Sequence, residues 1–306
     1  MISNLDPAAE LFLADANRIQ QRIATANSQV SSGKRIVSAS DAPDEIGSLL
    51  QLRSNLQRNT QIQSNLGLAK ADADGADNAL SAAIKLMDSA LSIAAQGANS
   101  TMAPETIQNL APNVQAILEE MVAYSQTAVD GRYIFSGDQD ASPAYALNAA
   151  AANGVAQLLG TQATRQIENP AGGSFAAAKT AQEIFDARDQ WGAATGDNVF
   201  AALSGLQAAL AAGDPQQVTG AIASIKQASS HLNSMEAFYG TVQNRIQNAA
   251  DFADSYGIRL QTEISQTEDA DLTSAALELT QANTQLQASF QMRAKMPHTS
   301  LFDFLG

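Results

Sequence analysis

Cysteine is absent from the 306-residue sequence. Its absence removes disulfides, thiolate metal sites and thiol nucleophiles together, and it suits a chain that must pass unfolded between redox compartments. Aromatic residues make up only 5% of the chain, and Trp191 is the single tryptophan, so a compact enzyme core built on large side chains is disfavoured. Basic residues are the minority, 17 against 31 acidic ones, for a net charge of -14. That balance argues against a sequence-independent grip on phosphate backbones or anionic lipid, and neither nucleic acid nor membrane is expected as a partner. No run of about 18 strongly apolar residues occurs. The opening MISNLDPAAELFLADANR lacks a basic stretch followed by an apolar core, so export by a cleaved leader is not expected. The only histidines, His231 and His298, stand far apart, and neither has a second imidazole at metal-ligand spacing.

What the chain has instead is alanine and helical periodicity. Stepping by three and four from Ile2 lands on Leu5, Ala9, Phe12, Ala16, Ile19, Ile23, Ala26 and Val30, an unbroken heptad seam. Asp6 and Pro7 supply a cap and a first-turn proline, so the spacing predicts a helix from there to Gly33, a rod of about 40 Å at roughly 1.5 Å per residue. A second helix opens after Asp41, with Pro43, Asp44 and Glu45 in its first turn. Its seam runs through Ile62, Leu66, Ala69, Ala73, Ala76, Leu80, Ala83, Met87, Ala90 and Ala94, and Gly97 ends it. A third helix is expected over about Pro104 to Val129. After the Asp130-Gly131 turn, Arg132 to Phe135 is rich in strand formers. The pattern then loosens between about 138 and 199, where TAQEIF from Thr180 reads as a capping-box start for a short helix. Helical spacing returns at Val199, turns at Gly213-Asp214-Pro215, and closes with a seam through Leu272, Ala275, Leu279, Ala282 and Leu286.

The fold expected is mainly α: a long antiparallel helical bundle and a terminal coiled coil, with a small inserted α/β domain. The division expected is 1–42 with 272–306 as a terminal helical domain, 43–137 with 200–271 as a bundle core carrying a short strand segment, and 138–199 as an inserted outer domain. The terminal seams have two readings. They close on each other within one chain, or they form an assembly surface between subunits.

Motifs that would carry chemistry fail on spacing. SSGKRIVSASDAPDEIG, residues 31 to 47, contains a Gly-Lys pair, but Ser28 stands where a phosphate loop needs glycine and Arg35 where it needs a hydroxyl. The stretch reads as a joint between two helices. Asp72, Asp74 and Asp77 miss the calcium-loop pattern, since Asp77 takes the glycine position and Ala83 the glutamate position. They read as a solvated helix face. Asp138, Asp140 and Ser142 read as a polar loop, because Pro143 replaces the required glycine. Glu119 and Glu120 are adjacent on a helix and point apart. No enzyme, metal or cofactor is expected from these residues.

SSGKRIVSASDAPDEIG resembles the joint after the first helix of bacterial flagellins and the related hook-associated proteins, and ANTQLQASFQMRAKMPHTSLFDFLG is similar to their terminal helix. AVDGRYIFSGDQ and the returning helices from NVFAALSGLQ to TVQNRI resemble the members at the hook-filament junction more than filament subunits. The resemblance implies a secreted structural subunit of the extracellular flagellum, exported through the type III channel with a chaperone. It would assemble with copies of itself and with other axial proteins, hook-associated protein and flagellin among them. It implies subunit contacts through Leu5, Phe12, Ile19, Ile23, Val30, Leu272, Leu279, Leu286 and Phe290, and a joint built on Ser32, Gly33, Arg35, Ile36 and Asp41. The reading from another class is a helical signalling or binding module without a flagellar role.

Overall fold

The computed structural model describes residues 7–148, 150–151, 153–160 and 162–295. It divides into two compact units: one takes in the stretches up to Arg58 and from Tyr256, the other Asn59–Ser255. Both divisions fall inside long helices.

The first unit holds α1 (Pro7–Ser32), the start of α2 (Pro43–Gly97), the end of α7 (Pro215–Glu268) and α8 (Leu272–Lys295). Proline opens α1, α2 and α7, positions where a missing N–H costs nothing because the first turn has no partner for it. Helix α1 stops at Gly33, whose N–H bonds Gln29 O at 2.9 Å and whose φ of +72° is the left-handed cap that glycine adopts without Cβ strain. Ile36, Leu49 and Leu260 are this unit's larger buried apolar residues.

The second unit is built on the rest of α2 and α7. The α2 seam is buried as its spacing predicts: Ile62, Leu66, Ala73, Ala76, Leu80, Ala83, Met87, Ala90 and Ala94 belong to one apolar cluster. Alanine at more than half of the seam positions lets neighbouring helices come close. At the end of α2 the approach is closer still, since a Cβ on Gly97 would stand 2.4 Å from Leu210 Cδ2. Leu210 belongs to α6 (Val199–Ala212).

The expected single helix over 104 to 129 is two, α3 (Pro104–Gln108) and α4 (Ala111–Ser125). Pro112 causes the break. A continuous helix would need its N–H to reach Gln108 O, and proline has none, so the chain restarts with Pro112 in the first turn of α4. β1 (Ala128–Val129) and β2 (Arg132–Tyr133) follow as an antiparallel hairpin around Asp130-Gly131, with Asp130 at φ 51°. The inserted segment adds two more hairpins, β3 (Tyr145–Leu147) with β4 (Val155–Gln157) and β5 (Gln166–Glu168) with β6 (Ser174–Ala176). It also adds α5 (Ala181–Phe185), where Thr180 and Glu183 form the reciprocal capping box.

The insert has no core of its own. Tyr145, Phe175, Ile184 and Phe185 join the apolar cluster of α2, α4, α6 and α7. The scarce aromatics concentrate there: Phe185 stacks on Phe200 at 5.9 Å and meets Phe135 edge-on at 5.8 Å, while Tyr145 lies 5.4 Å from Phe200. Beneath them the buried Asp186 carboxylate accepts from Tyr145 Oη at 2.9 Å, Asn198 Nδ2 at 2.7 Å and Arg188 Nε at 2.8 Å.

Candidate assembly surface and joint

Helices α1 and α8 run antiparallel, fixed by pairings of residue 12 with 290, 22 with 278 and 33 with 270. Ala16 and Ala26 on one side and Ala275 and Ala282 on the other are buried. Phe12 meets Phe290 edge to face at 5.8 Å, and Arg22 donates to Glu278 at 2.6 Å and Gln285 at 2.9 Å.

Phe12, Ile19, Ile23, Leu279 and Leu286 are only half-buried on this seam, and Val30, Leu272 and Phe290 are exposed. Leu5 lies outside the described residues, as does the final LFDFL stretch. The seam expected from periodicity therefore closes within one chain. A second set of large apolar residues stays outside it: Leu11 is 69% exposed and Leu277 58%, with Leu13 and Met292 also in solvent. Heptad stepping passes over these positions because each residue turns the helix by about 100°, which puts Leu11 and Leu13 on either side of Phe12 and Leu277 away from Ala275. The signal was present as the consecutive Leu11-Phe12-Leu13, a run that no single helix face can bury.

The joint is ordered by backbone and charge together. Lys34 forms an antiparallel bridge with Asp269, Gly33 O accepts from Ala270 N at 2.9 Å, and Arg35 N donates to Glu268 O at 2.6 Å. The turn between α1 and α2 is thus stitched to the turn between α7 and α8. Ser32 Oγ bonds Ser28 O at 2.6 Å, Ile36 is buried, and the Asp41 carboxylate accepts from the amides of Val37 at 2.9 Å and Ser38 at 2.7 Å. Arg35 pairs with Glu45 and donates to Thr267 O at 2.7 Å.

Glu268 is the anchor that sequence reading missed, since nothing in its spacing marks it. Its buried carboxylate pairs with Lys34 and, at 2.6 Å, with Arg53. Burial pushes this carboxyl up, but the Lys34 ammonium and Arg53 guanidinium outweigh it and hold the pKa below the ordinary glutamate value. Lys34 is therefore engaged at the joint by Glu268.

A glutamate with a lowered folded pKa contributes stability that is complete above its unfolded value of about 4.3 and is lost as pH falls through the folded one. Glu268→Gln should accordingly speed hydrogen exchange at the Arg35 amide at pH 7. Below the folded pKa, where the wild-type carboxyl is protonated, the two chains should exchange alike. Equal exchange at pH 7 would mean that the charge does not hold the joint.

The acidic clusters are held by neighbours. Asp72 is not on a solvated face: Arg132 reaches it at 3.1 Å, and burial pushes its pKa up against that guanidinium. Asp74 accepts from Gln243 at 3.0 Å. Asp138 accepts from Thr164 Oγ1 at 2.7 Å and Asp140 pairs with Arg165 at 2.9 Å. His231 contacts Glu183 O at 2.9 Å, and His298 lies outside the described residues. Among the described residues no group of three acidic, histidine or cysteine side chains is placed to hold a metal ion, and no helix is long and apolar enough to cross a membrane.

Comparison with known families matches residues 3–140 to the bacterial flagellin N-terminal helical region and residues 222–305 to the bacterial flagellin C-terminal helical region. No curated protein matches the chain by sequence. Among solved structures, a flagellar hook-associated protein from Vibrio parahaemolyticus is 18% identical with a TM-score of 0.63, covering 75% of this chain and 100% of its own. FlgL from Bacillus cereus is 16% identical with a TM-score of 0.54 over 73% and 100%. The flagellar junction protein FlgL from Legionella pneumophila is 12% identical with a TM-score of 0.53 over 66% and 99%. At these identities the likeness is one of fold.

Proposed function

Because the chain belongs to the bacterial flagellin family, we propose that this structural subunit of the flagellum is the member that joins hook to filament. It assembles outside the cell with copies of itself and with other axial proteins, after passing the export channel with a chaperone. Its work is packing, not catalysis. The observation that carries this reading is the apolar surface left on α1 and α8 after their own seam has closed, at Leu11, Leu13, Leu277 and Met292.

Each such side chain contributes about 1.5 to 3 kcal/mol when a neighbouring copy covers it. A few per subunit, repeated in every copy, hold a stiff tube, while a single subunit stays soluble on its net charge of -14. Val30, Leu272 and Phe290 on the seam also keep exposed area that a neighbouring copy would cover, and the half-buried Phe12, Ile19, Ile23, Leu279 and Leu286 set the pair that presents the surface. The junction assignment is favoured over the filament subunit by fold: structures named as a hook-associated protein and a junction protein are spanned over nearly their whole length. Labelled antibody on isolated flagella should mark a short band at the hook end. Label along the filament would make the chain a filament subunit, and none on flagella would end the flagellar reading.

A further inference from the structure

Trp191, the chain's only tryptophan, stands 81% exposed. The loop that carries it is firmly pinned. Asp189 Oδ1 accepts from the amides of Trp191 and Ala193 at 2.9 Å each, and Asp189 N donates to Ala193 O at 2.8 Å. The preceding Arg188 grips the buried Asp186 carboxylate at 2.7 Å. A large apolar ring on backbone fixed beforehand loses little freedom on binding, and tryptophan is enriched among the residues that dominate interfaces.

The same unit contains a cavity of about 510 Å³ whose lining combines apolar Leu68, Ile134 and Ile167 with charged Asp72, Arg132 and Arg165. Leu68 is half exposed, and Trp191 is not part of the cavity wall. An indole matches this lining: the apolar side chains take the ring, a carboxylate of the lining accepts its single N–H, and the half-exposed Arg165 guanidinium suits its π face.

We propose that Trp191 of one copy seats in this cavity of a second copy. The inference rests on the reading of the chain as an assembling subunit. A protruding group and a receiving cavity on one chain make a heterologous contact, which repeats head to tail and builds a ring or a helix. One tryptophan buries about 150–250 Å², against the roughly 1,200 Å² of a stable pair, so the contact forms within the assembly and not in dilute solution.

Being unique, Trp191 reports on itself. Sedimentation of the full chain measures assembly, and tryptophan emission with iodide quenching is read on the free and the pelleted protein. In the pellet, emission should move to shorter wavelength and quenching should be lost. Leu68→Glu and Arg165→Ala, both at solvent-facing positions, should pellet with emission still like that of the free chain. Wild-type pellets with free-chain emission would overturn the contact while leaving assembly standing, and a Leu68→Glu pellet that shifts as the wild type does would exclude this cavity. A wild-type chain that never sediments would overturn the contact and the assembly reading together.

Discussion

Replacing Asp186 by alanine is expected to lower the melting temperature of the Asn59–Ser255 unit by roughly 6–20 °C. One carboxylate serves three donors, and two of them, Tyr145 and Asn198, are buried with it. Burial, then the nearby carboxylate, raises the Tyr145 pKa, so the phenol remains a donor at any working pH. Removing the acceptor leaves the buried phenol without its partner and the Asn198 amide and Arg188 guanidinium with only the longer bonds to Ala187 O at 3.3 Å and Gly192 O at 3.4 Å, at a cost of about 3–5 kcal/mol. In a unit of this size each kcal/mol moves the melting temperature by about 2–4 °C. Calorimetry on the full chain measures it, with Glu119→Ala at an exposed position of α4 as the silent control. A change under about 2 °C would mean that water replaces the carboxylate and that the network is not what holds the insert to the helices.

Ile23→Asp is expected to open the α1–α8 pair at a cost of about 2–4 kcal/mol, because a carboxylate would replace an apolar seam side chain between Ala26 and Ile19 while the neighbouring Arg22 is already paired with Glu278. Trypsin should then cut faster at Arg18, Arg22 and Arg293, while the calorimetric transition of the Asn59–Ser255 unit stays in place. Assembly should be lost as well. Leu277→Asp should lose assembly with the tryptic pattern unchanged, since Leu277 faces away from the seam. If Ile23→Asp digests as slowly as wild type, the seam does not hold the pair.

The long helices and their seams were legible because a heptad repeats its message many times and a cap or proline marks each end. The joint was legible as a joint for the same reason, with Gly33 stopping one helix and Pro43 starting the next. What failed to show was what depends on tertiary partners. Glu268 becomes an anchor only when Lys34 and Arg53 converge on it from distant sequence. Asn59 looks like a surface residue, yet it is buried and donates to Ala253 O at 2.8 Å. Asp72 reads as solvated until the β2 strand brings Arg132 to it. The break at Pro112 was there to be read, but the apolar spacing on both sides of it argued for one helix. For the candidate surface the difficulty is different: periodicity finds the stripe that pairs best, which is the one a chain uses on itself. The residues left for a partner are those that fit no stripe.

On the proposed assembly, the apolar residues left outside the α1–α8 seam are covered by neighbouring subunits. Because the chain has no cysteine, Leu277→Cys introduces a single thiol, and its rate of reaction with a water-soluble thiol reagent can be compared in free and sedimented protein, with Ser89→Cys as an exposed reference on α2. Fast reaction at 277 is expected in the free subunit and strong protection after assembly, with the rate at 89 falling less. Equal rates at 277 in the two states, in material that sediments, would contradict it.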